Sequence, residues 1–146
     1  MSDSEIKKEK EIIGRLEKAS IPVFHIYDID AKIDTGAYNS AIHTSETKIV
    51  RVGDQRYLKF RVLDEDHPSF KDVWHRTSQF EKRYVKNSSG TSEERYVIKT
   101  DVIIKGRKIK MRLGLSNRKD MRYPLLIGRR SIKKHFIIDA SKKFTN

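Results

Sequence analysis

The segment between residues 96 and 115 alternates apolar and polar side chains and gives the clearest local signal in the chain. A period of two residues places every second side chain on the same face of a β-strand. Lys105-Gly106-Arg107 interrupts the alternation with residues that suit a hairpin turn. The pattern therefore predicts two antiparallel strands, the second with one apolar and one basic face. The predicted inward positions are Tyr96, Ile98, Thr100, Val102, Ile104, Ile109, Met111, Leu113 and Leu115.

Other segments are also typical of strands, because they are rich in β-branched, aromatic and leucine side chains. Glu11–Ser20 has helical spacing, yet Gly14 weakens a helix, so helix and strand both remain open there. Ser131–His135 predicts a short helix. Neither a βαβ alternation nor an internal repeat occurs, and this favours an all-β fold with one short helix. The further predicted strands are Val23–Ile33, Tyr57–Leu63, Leu125–Gly128 and Phe136–Ile138.

The length of 146 residues indicates one domain, which we expect to span residues 10–146 after a flexible tail at residues 1–9. There is no cysteine, so disulfides and cysteine-based zinc sites are excluded. The first ten residues are charged and lack the apolar core of a secretory signal. No segment approaches the roughly 20 apolar residues of a membrane span. We therefore expect a cytoplasmic protein without a membrane partner.

Positive charge is concentrated in the last third of the chain. Residues 1–104 contain 18 Lys or Arg and 18 Asp or Glu, whereas residues 105–146 contain 14 Lys or Arg and only two Asp. The net charge of +12 therefore arises after residue 104. This asymmetry indicates an acidic partner such as nucleic acid, anionic lipid or an acidic peptide. The alternative is a solvated basic face that only aids solubility.

An apolar strand leads into Asp34-Thr35-Gly36, where an aspartate enters a tight turn of small residues. Gly36 allows close approach of another chain, and the Thr35 hydroxyl can hold the turn in place. By itself this tripeptide also fits an ordinary turn. About ninety residues later, Leu125–Gly128 forms an apolar run that ends in glycine. The run is either a simple core strand or a strand that packs behind the aspartate turn, and the two interpretations are compatible.

Together these segments resemble a family, the bacterial and archaeal retropepsin-like proteins long labelled ATP-dependent zinc proteases. The resemblance extends from about Glu11 to Phe144. It implies an acid-protease β-barrel, a catalytic turn of Asp34, Thr35 and Gly36, and a substrate contact at Ala37. It also favours strand over helix after Glu11. The segments that carry it are Ala31–Ala37, Ser40–His43, Ser88–Gly90 with Glu94-Arg95, and Asn117–Arg130.

The residues support neither half of the family's label. A phosphate-binding loop needs a glycine-rich segment followed by Lys-Ser or Lys-Thr, which is missing here. Zinc needs three or four clustered ligands. The five histidines are scattered along the chain, and only His43 belongs to a family segment. We therefore predict neither a cofactor nor a metal.

Aspartic proteolysis uses two carboxylates that share one proton around a water molecule. The chain has one Asp-Thr-Gly, so we predict a homodimer that pairs two copies of Asp34. The flap of the active site is placed at Tyr84–Arg95. Enzymes that add glutamates to proteins are associated with the family, which suggests an acidic or polyglutamylated protein substrate. The predicted substrate-binding residues are Ala37, Arg118, Arg122, Arg129 and Arg130.

Two alternatives to an aspartic endopeptidase remain open. In the first, the same arginines capture an acidic peptide without cleaving it, and Asp34 is structural. In the second, the protein binds nucleic acid through a basic strand face and nearby aromatic rings. That face would consist of Lys108, Lys110 and Arg112, with Trp74 and Tyr84 as the rings.

Overall fold

The structure is a computed structural model that describes residues 9–86 and 89–145. Most of the predicted flexible tail, residues 1–8, lies outside the described residues. Strands dominate, with one α-helix, α1 (Arg129–Ile132), and one 3-10 turn (Pro22–Phe24) in the described part. The strands are β1 (Glu11–Ile13), β2 (Leu16–Ile21), β3 (Ile26–Asp34), β4 (Ser40–Val52), β5 (Gln55–Val62), β6 (His75–Thr77), β7 (Glu81–Lys86), β8 (Ser92–Ile104), β9 (Arg107–Ser116), β10 (Leu125–Gly128) and β11 (Phe136–Ile138).

Six of these strands close into a barrel. The order β10-β3-β2-β8-β9-β4 returns to its start, because β10 pairs in parallel with β3 and antiparallel with β4. Closure removes the free edges that an open sheet would expose. The all-β prediction, with a barrel and one short helix, is confirmed. In the described part, no helix is long and apolar enough to span a membrane.

The predicted hairpin is formed by β8 and β9. Their register pairs Ile98 with Leu113 and Val102 with Ile109, so the apolar positions face one core. The turn residues Lys105 and Gly106 have φ angles of 49° and 75°. A two-residue turn with both φ angles positive matches the right-handed twist of the strands, and glycine adopts such a φ without strain.

Strand β4 connects the barrel to a second layer. Its first residues, Ser40–His43, pair with β9, whereas Thr44–Val52 pairs with β5. Strand β6 adds to the other edge of β5. Strand β7 pairs with the outer part of β8, so a hairpin extends from the barrel near the end of β9.

The predicted strand at Val23–Ile33 begins too early. Pro22 starts the 3-10 turn, His25 closes it with a left-handed φ of 54°, and β3 begins at Ile26. Proline fixes its own φ near −65° and donates no hydrogen bond, which suits the first position of such a turn. The open segment Glu11–Ser20 contains strand β1 and most of β2. Strand β1 then pairs in parallel with β11.

Candidate functional site

The Asp34 turn is held by its own backbone. Strand β3 ends at Asp34, and the backbone N–H of Gly36 donates to Asp34 Oδ1 over 3.0 Å. The N–H of Ala37 donates to the Asp34 carbonyl over 3.2 Å. Asp34 itself is half-buried, while Thr35 and Gly36 are exposed. The carboxylate therefore has a fixed orientation at a position that solvent reaches.

Gly128 lies directly behind this turn. It pairs with Asp34 in the parallel ladder between β10 and β3. A Cβ at this position would lie 2.6 Å from the Asn39 carbonyl oxygen and 2.7 Å from that of Tyr38. The N–H of Gly128 donates to the Ser40 hydroxyl over 3.0 Å. The close approach requires glycine, in agreement with the predicted packing of this strand behind the aspartate turn.

Helix α1 fixes the far side of the turn. The backbone N–H of Arg129 donates to the Ala37 carbonyl over 2.8 Å, and that of Arg130 to the Tyr38 carbonyl over 3.2 Å. The Arg129 guanidinium also donates from Nη1 to the Gly36 carbonyl at 3.3 Å. Both guanidinium groups lie over the Tyr38 ring, 5.3 and 5.7 Å from its centroid. Two of the predicted substrate-binding residues, Ala37 and Arg129, therefore stabilise the Asp34 turn.

His43 connects β4 to the segment that carries Arg118. Its ring is buried, with Nε2 2.6 Å from Asp64 Oδ2. The backbone N–H of Arg118 donates to His43 Nδ1 over 2.7 Å. A nitrogen that accepts a hydrogen bond carries no proton, so the proton is on Nε2 and is donated to Asp64. Partial burial of Asp64 opposes ionisation, but hydrogen bonds from the Asp66 N–H and from His43 hold the pKa of this carboxyl below its usual range.

Arg118 lies within electrostatic reach of Asp34. Burial and the positive charge of Arg95 lower the pKa of the Arg118 guanidinium, and the negative charge of Asp34 opposes that shift. Its Nε atom is buried and makes no hydrogen bond to any residue that the structure describes. A buried donor without a partner costs free energy until an acceptor arrives.

A cavity of about 230 Å³, here called the arginine cavity, opens at Asn39 and Ser40, the residues that follow the Asp34 turn. Asn39 and Ser40 form part of its floor, and no Asp or Glu of the described chain lines it. The hairpin of β7 and β8 supplies one wall through Arg83 and Arg95. This wall overlaps the predicted flap at Tyr84–Arg95, whose residues 87 and 88 lie outside the described part. The cavity's cations are Arg83, Arg95, Arg112 and Arg118.

Three of these four arginines, Arg83, Arg95 and Arg112, were not among the predicted substrate-binding residues, although Arg112 belonged to the basic face of the nucleic-acid alternative. Arg83 and Arg112 both pair with Glu81, and Arg95 pairs with Glu93, so their charge is partly balanced. They lie on three different strands, and only the pairing of β7, β8 and β9 brings them together. The available sequence signals were the family segment around Arg95 and the basic face of β9.

The structure does not bring all four predicted arginines into one cavity. Arg118 lines the arginine cavity and also shares a third cavity with Arg122, whereas Arg130 lines a larger neighbouring one. Arg122 stacks on Tyr123 at 5.4 Å and lines a third cavity together with acidic side chains. Those acidic residues are Asp64, Asp66 and Asp120.

Two other predictions concern the aromatic rings of the nucleic-acid alternative and the presence of a metal site. Trp74 lies beside Lys48, Lys59 and Arg61, and Tyr84 is exposed on β7. Within residues 9–86 and 89–145, no group of three or more His, Asp or Glu side chains is arranged to hold a metal ion.

Comparison with known proteins decides the family. Residues 12–146 match the RimB-like family, described as retropepsin-like aspartic endopeptidase RimB. The chain belongs to this family. It is also 35% identical over 136 residues to a protein of Desulfotalea psychrophila and 31% identical over 139 residues to one of Shewanella pealeana. Both are named "Probable alpha-L-glutamate ligase".

The matches to these two relatives cover 90% and 92% of this chain but only 28% and 30% of theirs. A crystal structure of a Legionella pneumophila protein of unknown function is similar to the whole fold. It superposes with a TM-score of 0.67 at 25% identity, over 94% of this chain and 98% of that one.

Proposed function

We propose that this chain is an aspartic endopeptidase, active as a homodimer, that cleaves acidic or glutamate-rich protein segments. The observation that carries the proposal is that Arg118, which interacts electrostatically with the fixed Asp34 carboxylate, lines a cavity together with three further arginines and no carboxylate of the described chain. Such a cavity attracts negative charge, and the aspartate would supply the chemistry. Family membership adds support, because the matched family is described as an endopeptidase.

The proposed mechanism needs two copies of Asp34, one from each subunit. One carboxylate, ionised, takes a proton from a water molecule as the water attacks the peptide carbonyl carbon. The other, protonated, gives its proton to the carbonyl oxygen, and two adjacent like charges favour this sharing of one proton at the start. The C–N bond then breaks, the amine leaves with the proton that the first carboxylate took from water, and a hydroxyl proton of the intermediate returns to the second carboxylate. Gly36 N–H holds one carboxylate oxygen in each subunit. The dimer is therefore part of the proposal, because a single Asp34 cannot fill both roles.

The choice of substrate rests on charge. The arginine cavity would bind carboxylate side chains on either side of the cleaved bond through its four guanidinium groups. Two relatives are named as glutamate ligases, which associates this kind of domain with glutamate. The positive charge of the arginine cavity also favours a second candidate function, a module that binds a glutamate-rich chain without cleaving it. Asp34 would then be structural.

The substitution Asp34→Asn separates these candidates. An endopeptidase loses cleavage of a glutamate-rich peptide, because an amide cannot act as the base. Its stability should be equal or better, since Asn keeps the oxygen that accepts from Gly36 and removes repulsion between the paired carboxylates. A structural Asp34 predicts instead a loss of roughly 1–3 kcal/mol. Peptide cleavage and thermal melting at neutral pH measure both quantities.

A second variant tests the substrate class. Arg118→Gln removes a half-buried cation of the cavity but leaves Asp34 intact, so cleavage of an acidic peptide should weaken while any cleavage of a neutral peptide persists. Sedimentation of wild-type protein and Asp34→Asn gives the oligomeric state. A monomer that still cleaves would contradict the shared-proton mechanism. Wild-type protein that binds but never cleaves acidic peptides would favour the binding module.

A further inference from the structure

A second cavity, larger than the arginine cavity, lies next to it on the outer face of the barrel. Its volume is about 450 Å³, and no Asp or Glu of the described residues lines it. The two cavities share Asn39, Ser40 and Arg112, so they form one continuous surface. We call the larger one the basic trough, and its cations are Lys99, Lys110, Arg112, Arg130, Lys133 and Lys134.

The charge of the trough is largely unbalanced. Arg112 pairs with Glu81, and Lys110 lies opposite Asp101 in the β8–β9 register. Among residues 9–86 and 89–145, the other four cations form no ion pair with a carboxylate. Several like charges held in one concave surface repel each other, and an anionic ligand relieves that repulsion. A second copy of this chain would bring the same positive surface and is disfavoured as the occupant.

We propose that the basic trough is a second binding site, which holds acidic side chains of the substrate several residues away from the bond that is cleaved. This inference rests on the proposed endopeptidase function. Its ligand is an extended acidic polypeptide that passes from the arginine cavity, across Arg112, into the trough. The site would contribute to binding of the substrate and take no part in the chemical step.

Strand geometry supports a polypeptide as the ligand. Lys110, Arg112 and Gly114 alternate along the outer face of β9, so successive members lie about 7 Å apart. An extended peptide also repeats its side chains on one face about every 7 Å. Carboxylates of a glutamate run would therefore match the spacing of Lys110 and Arg112. The distance along β9 from Gly114 in the arginine cavity to Lys110 in the trough is about 14 Å, which equals roughly four extended residues.

Nucleic acid fits this surface less well. Proteins that bind single strands stack bases on exposed aromatic rings. Among the described residues, the rings that line the trough are Tyr38 and His135. The guanidinium groups of Arg129 and Arg130 already lie over the Tyr38 ring, and the His135 ring lies against Phe136. Trp74 contacts a different set of cations on β4 and β5. Continuity with the arginine cavity also favours the polymer that is cleaved there.

The test compares peptides of two lengths. A short peptide with only two glutamates, about 7 Å of extended chain, can occupy the arginine cavity but cannot also reach Lys110 from Gly114, whereas one with about twelve glutamates reaches the trough. The trough variant is Lys110→Gln with Lys134→Gln. The control is Lys71→Gln with Lys142→Gln, which changes the net charge equally at exposed positions outside both cavities. Thermal melting verifies that both variants fold.

For the long peptide, the trough variant should raise KM about three- to tenfold with kcat unchanged, because exposed charge contacts are individually weak. The short peptide should show no difference between the trough variant and the control. Equal KM values for the two variants on the long peptide would overturn the proposal. The proposal would also be overturned if the trough variant lost binding of single-stranded RNA but kept its binding of the peptide.

The two proposals can fail separately. If wild-type protein cleaves neither peptide, the endopeptidase proposal fails, and fluorescence anisotropy of the labelled long peptide bound to Asp34→Asn still decides about the trough. Adding the trough substitutions to Asp34→Asn should then weaken binding by the same factor. Unchanged binding overturns the trough proposal, whatever the catalytic activity.

Discussion

Gly128→Ala tests how tightly β10 packs behind the Asp34 turn. The new Cβ would lie 2.6 Å from the Asn39 carbonyl oxygen, whereas an ordinary contact begins at 3.4 Å. Strand and turn must therefore separate by about 0.8 Å, and both obstructing groups are backbone that cannot rotate away. Overpacking of this kind costs about 1–3 kcal/mol, against a gain of about 0.5–1 kcal/mol from replacing glycine in a strand. We expect a net loss of about 1 kcal/mol, within a range of about 0–2.5 kcal/mol.

Gly114→Ala is the matched control for stability. Gly114 also lies in a barrel strand, but its added Cβ would meet its nearest atom at 3.5 Å, an ordinary contact. This variant should be as stable as wild type or slightly more stable. Urea unfolding measures both through the midpoint at a constant m value. If Gly128→Ala proves as stable as Gly114→Ala, the close approach of β10 to the turn does not constrain the fold.

Three further predictions concern side chains near the site. His43→Gln can still donate a hydrogen bond to Asp64 but leaves the Arg118 N–H without an acceptor. His43→Asn instead keeps an acceptor for the Arg118 N–H and loses the hydrogen bond to Asp64. Each variant should lower the free energy of unfolding by about 1–3 kcal/mol. Only His43→Gln should also weaken acidic-peptide binding beyond its stability loss, and equal effects of both variants on binding would contradict the assigned tautomer. In the folded protein the pKa of Asp64 is lowered from its ordinary value of 3.8. The ionised Asp64 carboxylate therefore stabilises the fold fully above pH 3.8, and this stabilisation is lost as the pH falls through the pKa of the folded state. The stability difference between wild type and Asp64→Asn should therefore shrink between pH 7 and pH 3, and a constant difference in denaturant unfolding would refute this. Elemental analysis of purified protein should find no stoichiometric zinc, and one zinc per chain that His43→Asn removes would refute this.

The sequence predicted those parts of the fold in which burial follows a simple period. Strands β8 and β9 have a clean period of two and a turn with glycine, and both were predicted. Strand β4, with 13 residues, was missed. Its barrel end buries Ser40, His43 and Thr44, polar residues that no hydrophobic pattern marks as internal. Ser40 and His43 are accommodated because partners from distant segments, such as Gly128 and Asp64, satisfy their hydrogen bonds.

The candidate site was predictable only where one segment builds it. Asp34-Thr35-Gly36 is a local motif, and its turn geometry follows from three neighbouring residues. The arginine cavity depends on strand register, which places Arg83 opposite Arg95 across β7 and β8. Such long-range pairings are set by the whole barrel and leave no local pattern in the sequence.

The pairing of β1 with β11 has a mechanical consequence. The two strands run parallel, and further bonds join the same ends, from Arg15 N–H to the Lys142 carbonyl and from Phe144 N–H to the Leu16 carbonyl. A force that pulls the two ends of the chain apart would therefore load these bonds in shear, all at once. An antiparallel pair pulled from one end would instead open one bond at a time. The force needed to separate β1 from β11 should consequently be higher than the small size of this two-stranded sheet suggests.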